Sequence, residues 1–575
     1  MFEFINFKEE AIALTKWLIS IPSITSTHGE MEISKAIYDT VCGISYFRTH
    51  RNDVLYVPHS DQKHHSVVAL VKIDGGITRE TLCVLCSSDT SGNDSYAMLK
   101  PLSFKPDELK EKLRGIIKKS DKAQALSYSN TLYGLGSFES KGVTGALLTL
   151  VKEASDRLYE LPFNLLFVCT SQTISGNTGI RECMPYIHSL LSENHLDLKL
   201  TVAFKPENRS NDENNLNLYT ANMGRSELCF YILGKGADSA EPFKGFSPTQ
   251  VCSRIIEKME LNPKVTSRLS KRPFVPVFRS MLMPPMLSPR TPDSALVSFE
   301  LPFLNLNLLD LIEVLKSLAA EALEESCTAI ENRENDLLTM LDQEYLPEVR
   351  DAEVLSYSDL FYRASRHYRG DLQAAIDGLL NRCAKKEYTR EETVQAVIER
   401  LNDLARLPRP SVVICLGSNF IPQQQIRQNN SGDREVYRRI SDAVDSFNSD
   451  FVQQIKFAGE TSASDCCFIR PVGVDQAVKA LRAECPIPFR DFYNLGAPAV
   501  TLTVKGEDLY LPTEHVSTEI FDIIPGFLSK LFDVFKQEDD LKDEEESKDD
   551  EDEVESEALP EGADEDSDEQ PSEKK

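Results

Sequence analysis

The chain has 575 residues, 41% hydrophobic and 27% charged, enough for a large core and, at about 150 residues per domain, for three or four units. Its net charge is −28, but residues 538–575 alone hold 21 acids and 4 bases, leaving −11 for the rest. A strongly negative surface repels phosphate backbones and argues against nucleic acid as a partner; no apolar run approaches the ~18 residues of a membrane span, and the first residues lack the basic start and apolar stretch of a secretory signal.

Asn6 stands as the cap of a first helix, with Glu9 three residues on, Ala11, Leu14 and Leu18 on one face, and Pro22 closing it. Strand-length apolar runs follow at Ser66–Lys72, Leu82–Cys86, Asn164–Thr170 and Lys199–Phe204. They are continuous rather than alternating, as strands buried on both faces require. Helical patterns at Thr144–Leu158 and Gly179–Leu191 separate them, so the prediction is an α/β fold with a mainly parallel sheet flanked by helices. Near residue 222 the pattern changes. A strand is predicted at Leu228–Leu233, a helix at Ser247–Met259, a Pro-, Arg- and Ser-rich excursion at 262–296, and a strand at Ala295–Phe303. A long helix at Asn305–Arg333 and a helical block at 357–384 follow. Thr389 and Glu392 form a capping box before Val394, Val397, Ile398 and Leu401. Strands return at Val412–Leu416 and Ala499–Val504, and a last helix at Ile520–Phe535.

This layout divides the chain into an α/β domain in two parts, 1–221 and 407–537, interrupted by an inserted α+β domain at 222–406. Residues 538–575 are acidic, of low complexity and too poor in apolar groups to fold, so disorder is expected there. The tail is read chiefly as a solubilising appendage, with a basic protein as the partner it would attract. The thirteen scattered cysteines sit mostly in apolar strings, which is buried-thiol usage in a reducing compartment and points to the cytoplasm. Cys83 and Cys86 have C-x-x-C spacing but lie inside a strand-like run, and read as packing, as do Cys466 and Cys467.

Ligands of parallel α/β sheets bind beyond the carboxyl ends of the strands. That rule selects Cys86–Thr90, the glycine-rich Gly134–Gly142, Thr170–Gly176, Phe204–Glu207 and Gly506–His515. Gly134 and Gly136 give G-x-G, but the next glycine is Gly142, so the loop reads as a tight strand-to-helix turn rather than a nucleotide cradle.

Together these segments resemble the M20 family of metal-dependent peptidases and amidohydrolases, with most likeness to its arginine-utilisation (RocB-type) branch. The resemblance rests on Trp17–Ile24, on Tyr133–Gly142 where the family has a G-R-G-x-x-D-x-K-G loop, and on Asn164–Thr170 before the family's D-E-E motif. Gly234–Gly245 and the Ala463-Ser464-Asp465 element add to it. The resemblance implies that the inserted domain is a lid, that the cleft takes a peptide or an amino-acid derivative, and that two divalent metals such as zinc are held by two histidines and three carboxylates, with a glutamate as general base.

Residue by residue, this chain departs from that set. The first metal histidine falls on Ser87, followed by a retained Asp89. The bridging aspartate falls on Glu139, the general base on Thr173, the next ligand on Ile174, another ligand on Lys205 and the last histidine on Tyr510. A lid histidine falls on Asp238. Only His515 of the nine histidines lies near a required position, and His59, His64 and His65 read as a solvated loop. A lysine puts a cation where a cation should bind. The expectation is therefore an M20-like protein without intact catalytic or metal residues and without a cofactor, binding a small molecule or peptide in its cleft. The alternatives are a divergent metal-dependent hydrolase, which would keep the two metals, and a structural or assembly protein. A compensating cluster of Asp89, Glu139 and Lys205 is expected in the site, in which breaking one partner would cost roughly 3–5 kcal/mol.

Overall fold

The computed structural model describes residues 6–536 apart from 74–77, 119–125, 127–129, 175, 209–214, 271, 285–287, 345–351 and 489–491. The segment expected to be disordered, 538–575, lies outside the described residues, as does Ser175.

Four parallel strands form the centre of a large sheet, in the spatial order Asn164–Thr170, Glu80–Ser87, Asp197–Asn208 and Ala499–Glu507. Every residue of Asn164–Thr170 is buried, which is why Leu165–Cys169 is a continuous apolar run rather than an alternating one. Along Glu80–Ser87, Leu82, Val84 and Cys86 enter one core and Cys83 and Leu85 the other. The period-2 geometry of a strand thus sends Cys83 and Cys86 to opposite faces, where no metal or disulfide can join them. All thirteen cysteines are free thiols.

One face of the sheet is covered by Phe7–Ile19, Gly142–Asp156, Ser431–Asp450 and the helical residues 520–536, which bring Leu18, Leu147, Phe447 and Phe527 into the core. Burying each such side chain is worth roughly 1.5–3 kcal/mol. Thr178–Glu193 covers the other face through Ile180, Met184 and Ile187. Val54–Pro58 and His65–Val71 extend the sheet antiparallel on one side. On the other, His515–Ser517 and Thr131–Tyr133 are added antiparallel, while Asn215–Asn222 joins Ala499–Glu507 and carries Gln424–Gln425 and Gln454–Thr461.

A second, five-stranded sheet takes its strands from residues 224–303 and 353–416, in the order Glu353–Ser356, Ser411–Leu416, Gly224–Leu233, Ser294–Phe303 and Val277–Leu282. Only the first pair is parallel. Pro248–Met259 and Leu308–Met340 pack on one face, and Tyr357–Ser365, Leu372–Lys385 and Arg390–Ala405 on the other. Thr389 and Glu392 do form a capping box. Asn6 does not cap the first helix with its side chain; its backbone is left-handed instead. The excursion at 262–296 contains an edge strand, Val277–Leu282, half exposed and therefore without a buried-strand pattern. Among the described residues no helix is long and apolar enough to cross a membrane.

Candidate functional site

The carboxyl ends of the four parallel strands converge on a cavity of about 300 Å³. Ser87 ends one strand, Lys205 and Pro206 come from the next, and Thr173 and Ile174 follow Thr170. Glu139 and Ser140 reach in from the glycine loop, Tyr510 from the segment after Glu507, and Arg225 from the start of the five-stranded sheet. Ser462, Ser464 and Asp465 close the remaining side. Six of the positions singled out in the sequence, Ser87, Glu139, Thr173, Ile174, Lys205 and Tyr510, thus line one cavity.

Asp89 lies beneath them, 1% exposed. Its Oδ2 accepts the Thr25 hydroxyl at 3.0 Å and the Ile174 amide at 3.1 Å, while Oδ1 is buried with no hydrogen-bond partner. Burial pushes its carboxyl above the ordinary range. The Glu139 carboxyl is raised too, chiefly by burial and further by Asp89, against a hydrogen bond from the Tyr510 hydroxyl.

Lys205 does not form the expected cluster with Asp89 and Glu139. Its ammonium is bonded instead to the hydroxyls of Thr461, at 2.9 Å, and Ser462. Those hydroxyls stand at the end of Gln454–Thr461, which Asn215–Asn222 brings alongside. Burial lowers the Lys205 pKa, and Glu139 and Glu207 act against it through space. Lys205→Met is therefore expected to cost about 1 kcal/mol in urea unfolding, the worth of two part-exposed hydrogen bonds, not the loss from a broken buried ion pair. A loss above 3 kcal/mol would restore the cluster.

Asp238 is exposed on the five-stranded side, paired across a bridge with Arg290, and does not line the cavity. His515 is also outside it, stacked on Tyr133 at 4.8 Å between ring centroids. The loop of His59 and His64 is not solvated as expected: both side chains are buried. His59 bonds Gln172 and Ser66, each at 2.9 Å, and His64 bonds Asp61 and lies 3.3 Å from Glu30. Glu30 in turn accepts the Gln172 amide at 2.6 Å. This network supports the loop that presents Thr173 and Ile174. Only His65 keeps partial exposure, stacked on Tyr56.

The glycine loop has its own occupant. Glu514 is wholly buried and accepts the amides of Gly136 at 2.9 Å, Phe138 at 3.2 Å and Tyr510 at 3.0 Å. The N–H groups that would cradle a phosphate are satisfied by this carboxylate. Burial pushes the Glu514 pKa up to about 8 and that of fully buried Lys141 down to about 7, where its ammonium donates to the Ile21 carbonyl at 2.7 Å.

Asp465 was noted in the sequence only as part of a motif. It clamps its loop to the sheet, accepting the Thr170 hydroxyl and the Asn177 amide, both at 2.6 Å. Burial pushes it up to about 6.

The M20 resemblance raises the question of two divalent metals. No imidazole lines the cavity, and among the described residues no three His, Cys, Asp or Glu side chains are grouped to hold a metal ion. The residues present do not fit a two-metal centre.

No protein-family model matches the chain. It is similar to the protein RocB of Bacillus subtilis, at 22% identity over 558 residues, spanning 90% of this chain and 94% of RocB. The uncharacterised protein YqjN of the same organism is likewise 22% identical over 546 residues, covering 91% and 95%. Among solved structures, a tripeptidase from Staphylococcus aureus aligns with a TM-score of 0.50 at 12% identity, covering 92% of this chain and 99% of that one. An M20 family metallo-carboxypeptidase from Sulfolobus solfataricus gives 0.50 at 10% identity, with the same coverage. The chain has the M20 peptidase fold, and along nine-tenths of its length its sequence is similar to the RocB-type proteins.

Proposed function

We propose that this protein keeps the M20 cleft as a binding site for a small peptide or amino-acid derivative and has lost two-metal hydrolysis. The observation that carries the reading is the lysine among hydroxyls, without any histidine, at the carboxyl ends of the parallel strands. Two-metal hydrolysis needs N and O ligands that neutralise the cations and lower the pKa of bound water. Here Ile174 offers no ligand atom, and Lys205 brings an amine where an anionic oxygen is needed to neutralise the cations. The volume of about 300 Å³ is at the small end for ligand pockets and suits a molecule of amino-acid or dipeptide size.

A divergent hydrolase is the second reading, favoured by the buried and unpartnered Oδ1 of Asp89 with Glu139 and Asp465 nearby. Metal titration separates the two. Supplied with zinc, manganese or cobalt and then dialysed, the protein is expected to retain fewer than two equivalents per chain by elemental analysis. Two equivalents located in the cleft by anomalous scattering would end the first reading.

A further inference from the structure

We propose that Ser462 and Lys205 form a nucleophile and base pair that cleaves a small amide or ester in this cavity without a metal. The proposal rests on the reading that two-metal hydrolysis is lost, and names the chemistry that takes its place.

The geometry is that of an activated serine. Ser462 is exposed toward the cavity and its Oγ is hydrogen-bonded to the Lys205 Nζ. A serine hydroxyl is a weak nucleophile until a base within hydrogen-bond reach takes its proton, and a lysine serves when its amine is neutral. Lys205 is largely buried, and burial disfavours its charged form, while Glu139, Glu207 and Cys467 face it and favour that form; the balance lies below the ordinary lysine range. The contact then runs in reverse, with Ser462 donating to Nζ.

The serine is also held. Met223 donates its amide to the Thr461 carbonyl at 2.9 Å, Asn222 donates to the Ser464 hydroxyl at 2.9 Å, and Asp465 pins the other end of the loop. A site so fixed loses little freedom on binding. An oxyanion needs a donor that is not already committed. Arg225, two residues from Met223, lines the same cavity; its Nη1 donates to Glu300 at 3.2 Å, and its Nε is left without an acceptor.

Ser462 Oγ bonds to the carbonyl carbon, its proton passes to the neutral Lys205 amine, and the carbonyl electron pair moves to oxygen. On collapse the bond to the leaving amine or alcohol breaks, and Lys205 returns the proton to it. Water then attacks the acyl-serine, giving its proton to Lys205, and Ser462 leaves as the hydroxyl. One bond is hydrolysed by one water, and nothing is oxidised or reduced.

The test uses the full chain in excess chelator with diisopropyl fluorophosphate, a small probe whose phosphorus is attacked by an activated serine with loss of fluoride. One adduct per chain is expected, mapped to Ser462 by mass spectrometry, and absent from Ser462→Ala. Lys205→Met should react at least about 100-fold more slowly, the usual worth of a general base, with a melting transition that shows it folded. The wild-type rate should rise with pH to a midpoint below that of a free lysine, and this limb should vanish in Lys205→Met. No adduct at Ser462, or a Lys205→Met variant labelled at the wild-type rate, overturns the pair. The two readings fail separately: an unlabelled protein that retains fewer than two metals removes only the pair, whereas two metals in the cleft remove the reading beneath it.

Discussion

Glu514→Ala is expected to lower unfolding stability by at least about 3 kcal/mol, the largest effect of any single change around the site. The Glu514 side chain has no access to solvent and accepts three backbone N–H groups, from Gly136, Phe138 and Tyr510. Removing it leaves three buried donors without an acceptor, each costing roughly 1–3 kcal/mol. Gly136 has φ of +82°, and a Cβ there would meet Thr90 at 2.4 Å, so the loop cannot be rebuilt by other residue types in a different turn. Glu514→Gln should be milder. Its carbonyl oxygen can replace Oε1 toward Gly136 and Phe138, but its NH₂ then faces the Tyr510 amide, donor against donor. The order wild type, Gln, Ala in urea midpoint is the expected result. An alanine variant within 1 kcal/mol of wild type would show that the loop finds other acceptors. The same segment carries Tyr510, whose hydroxyl bonds Glu139, so the fold of the glycine loop and the shape of the cavity stand on one carboxylate.

The strands that build the site were legible because burial on both faces leaves a plain mark. Leu165–Cys169 is apolar without a break, and the strand predicted around it, Asn164–Thr170, has the same bounds in the structure. The rule that ligands gather at carboxyl ends of parallel strands then selected five segments, and the M20 resemblance picked out within them the six positions that line the cavity. Strands at the far side of the sheet left no such mark. Asn215–Asn222 and Gln454–Thr461 alternate polar and apolar residues over short lengths, with only partial burial, and resemble loops. Side-chain partners were the least legible. Lys205 stands on a strand whose end faces Glu139, and charge alone suggested an ion pair. The partner hydroxyls come from residues 461 and 462, more than 250 positions away, and reach Lys205 only because Gln454–Thr461 pairs with Asn215–Asn222. His59 and His64 misled for a similar reason. A polar loop reads as solvated until Glu30 and Gln172, from two other elements, close over it.

Asp465→Asn should make stability less dependent on pH. Asp465 is buried, and its carboxyl is pushed up to about 6 from an unfolded value near 3.8. For an acid raised in the folded state, the unfolded chain releases its proton first as pH rises. The stability it contributes is full below about pH 4 and is lost as pH climbs through 6, by at most about 3 kcal/mol for a shift of this size. Asparagine has no proton to release and removes that slope. It also surrenders one acceptor, since Thr170 and Asn177 now compete for a single oxygen, a loss of about 1–2 kcal/mol at every pH. The variant should therefore be the less stable protein at pH 4.5, and the gap should close or reverse by pH 7.5. Glu139 titrates in both proteins and cancels in the comparison, whereas Asp89, whose charge adds to the rise at Asp465, loses that neighbour in the variant, which flattens the slope further. Urea unfolding of the pair at the two pH values measures the difference directly. A gap that stays constant between them would mean that Asp465 titrates alike in the folded and unfolded chain, and that its loop is held by hydrogen bonds with no electrostatic cost.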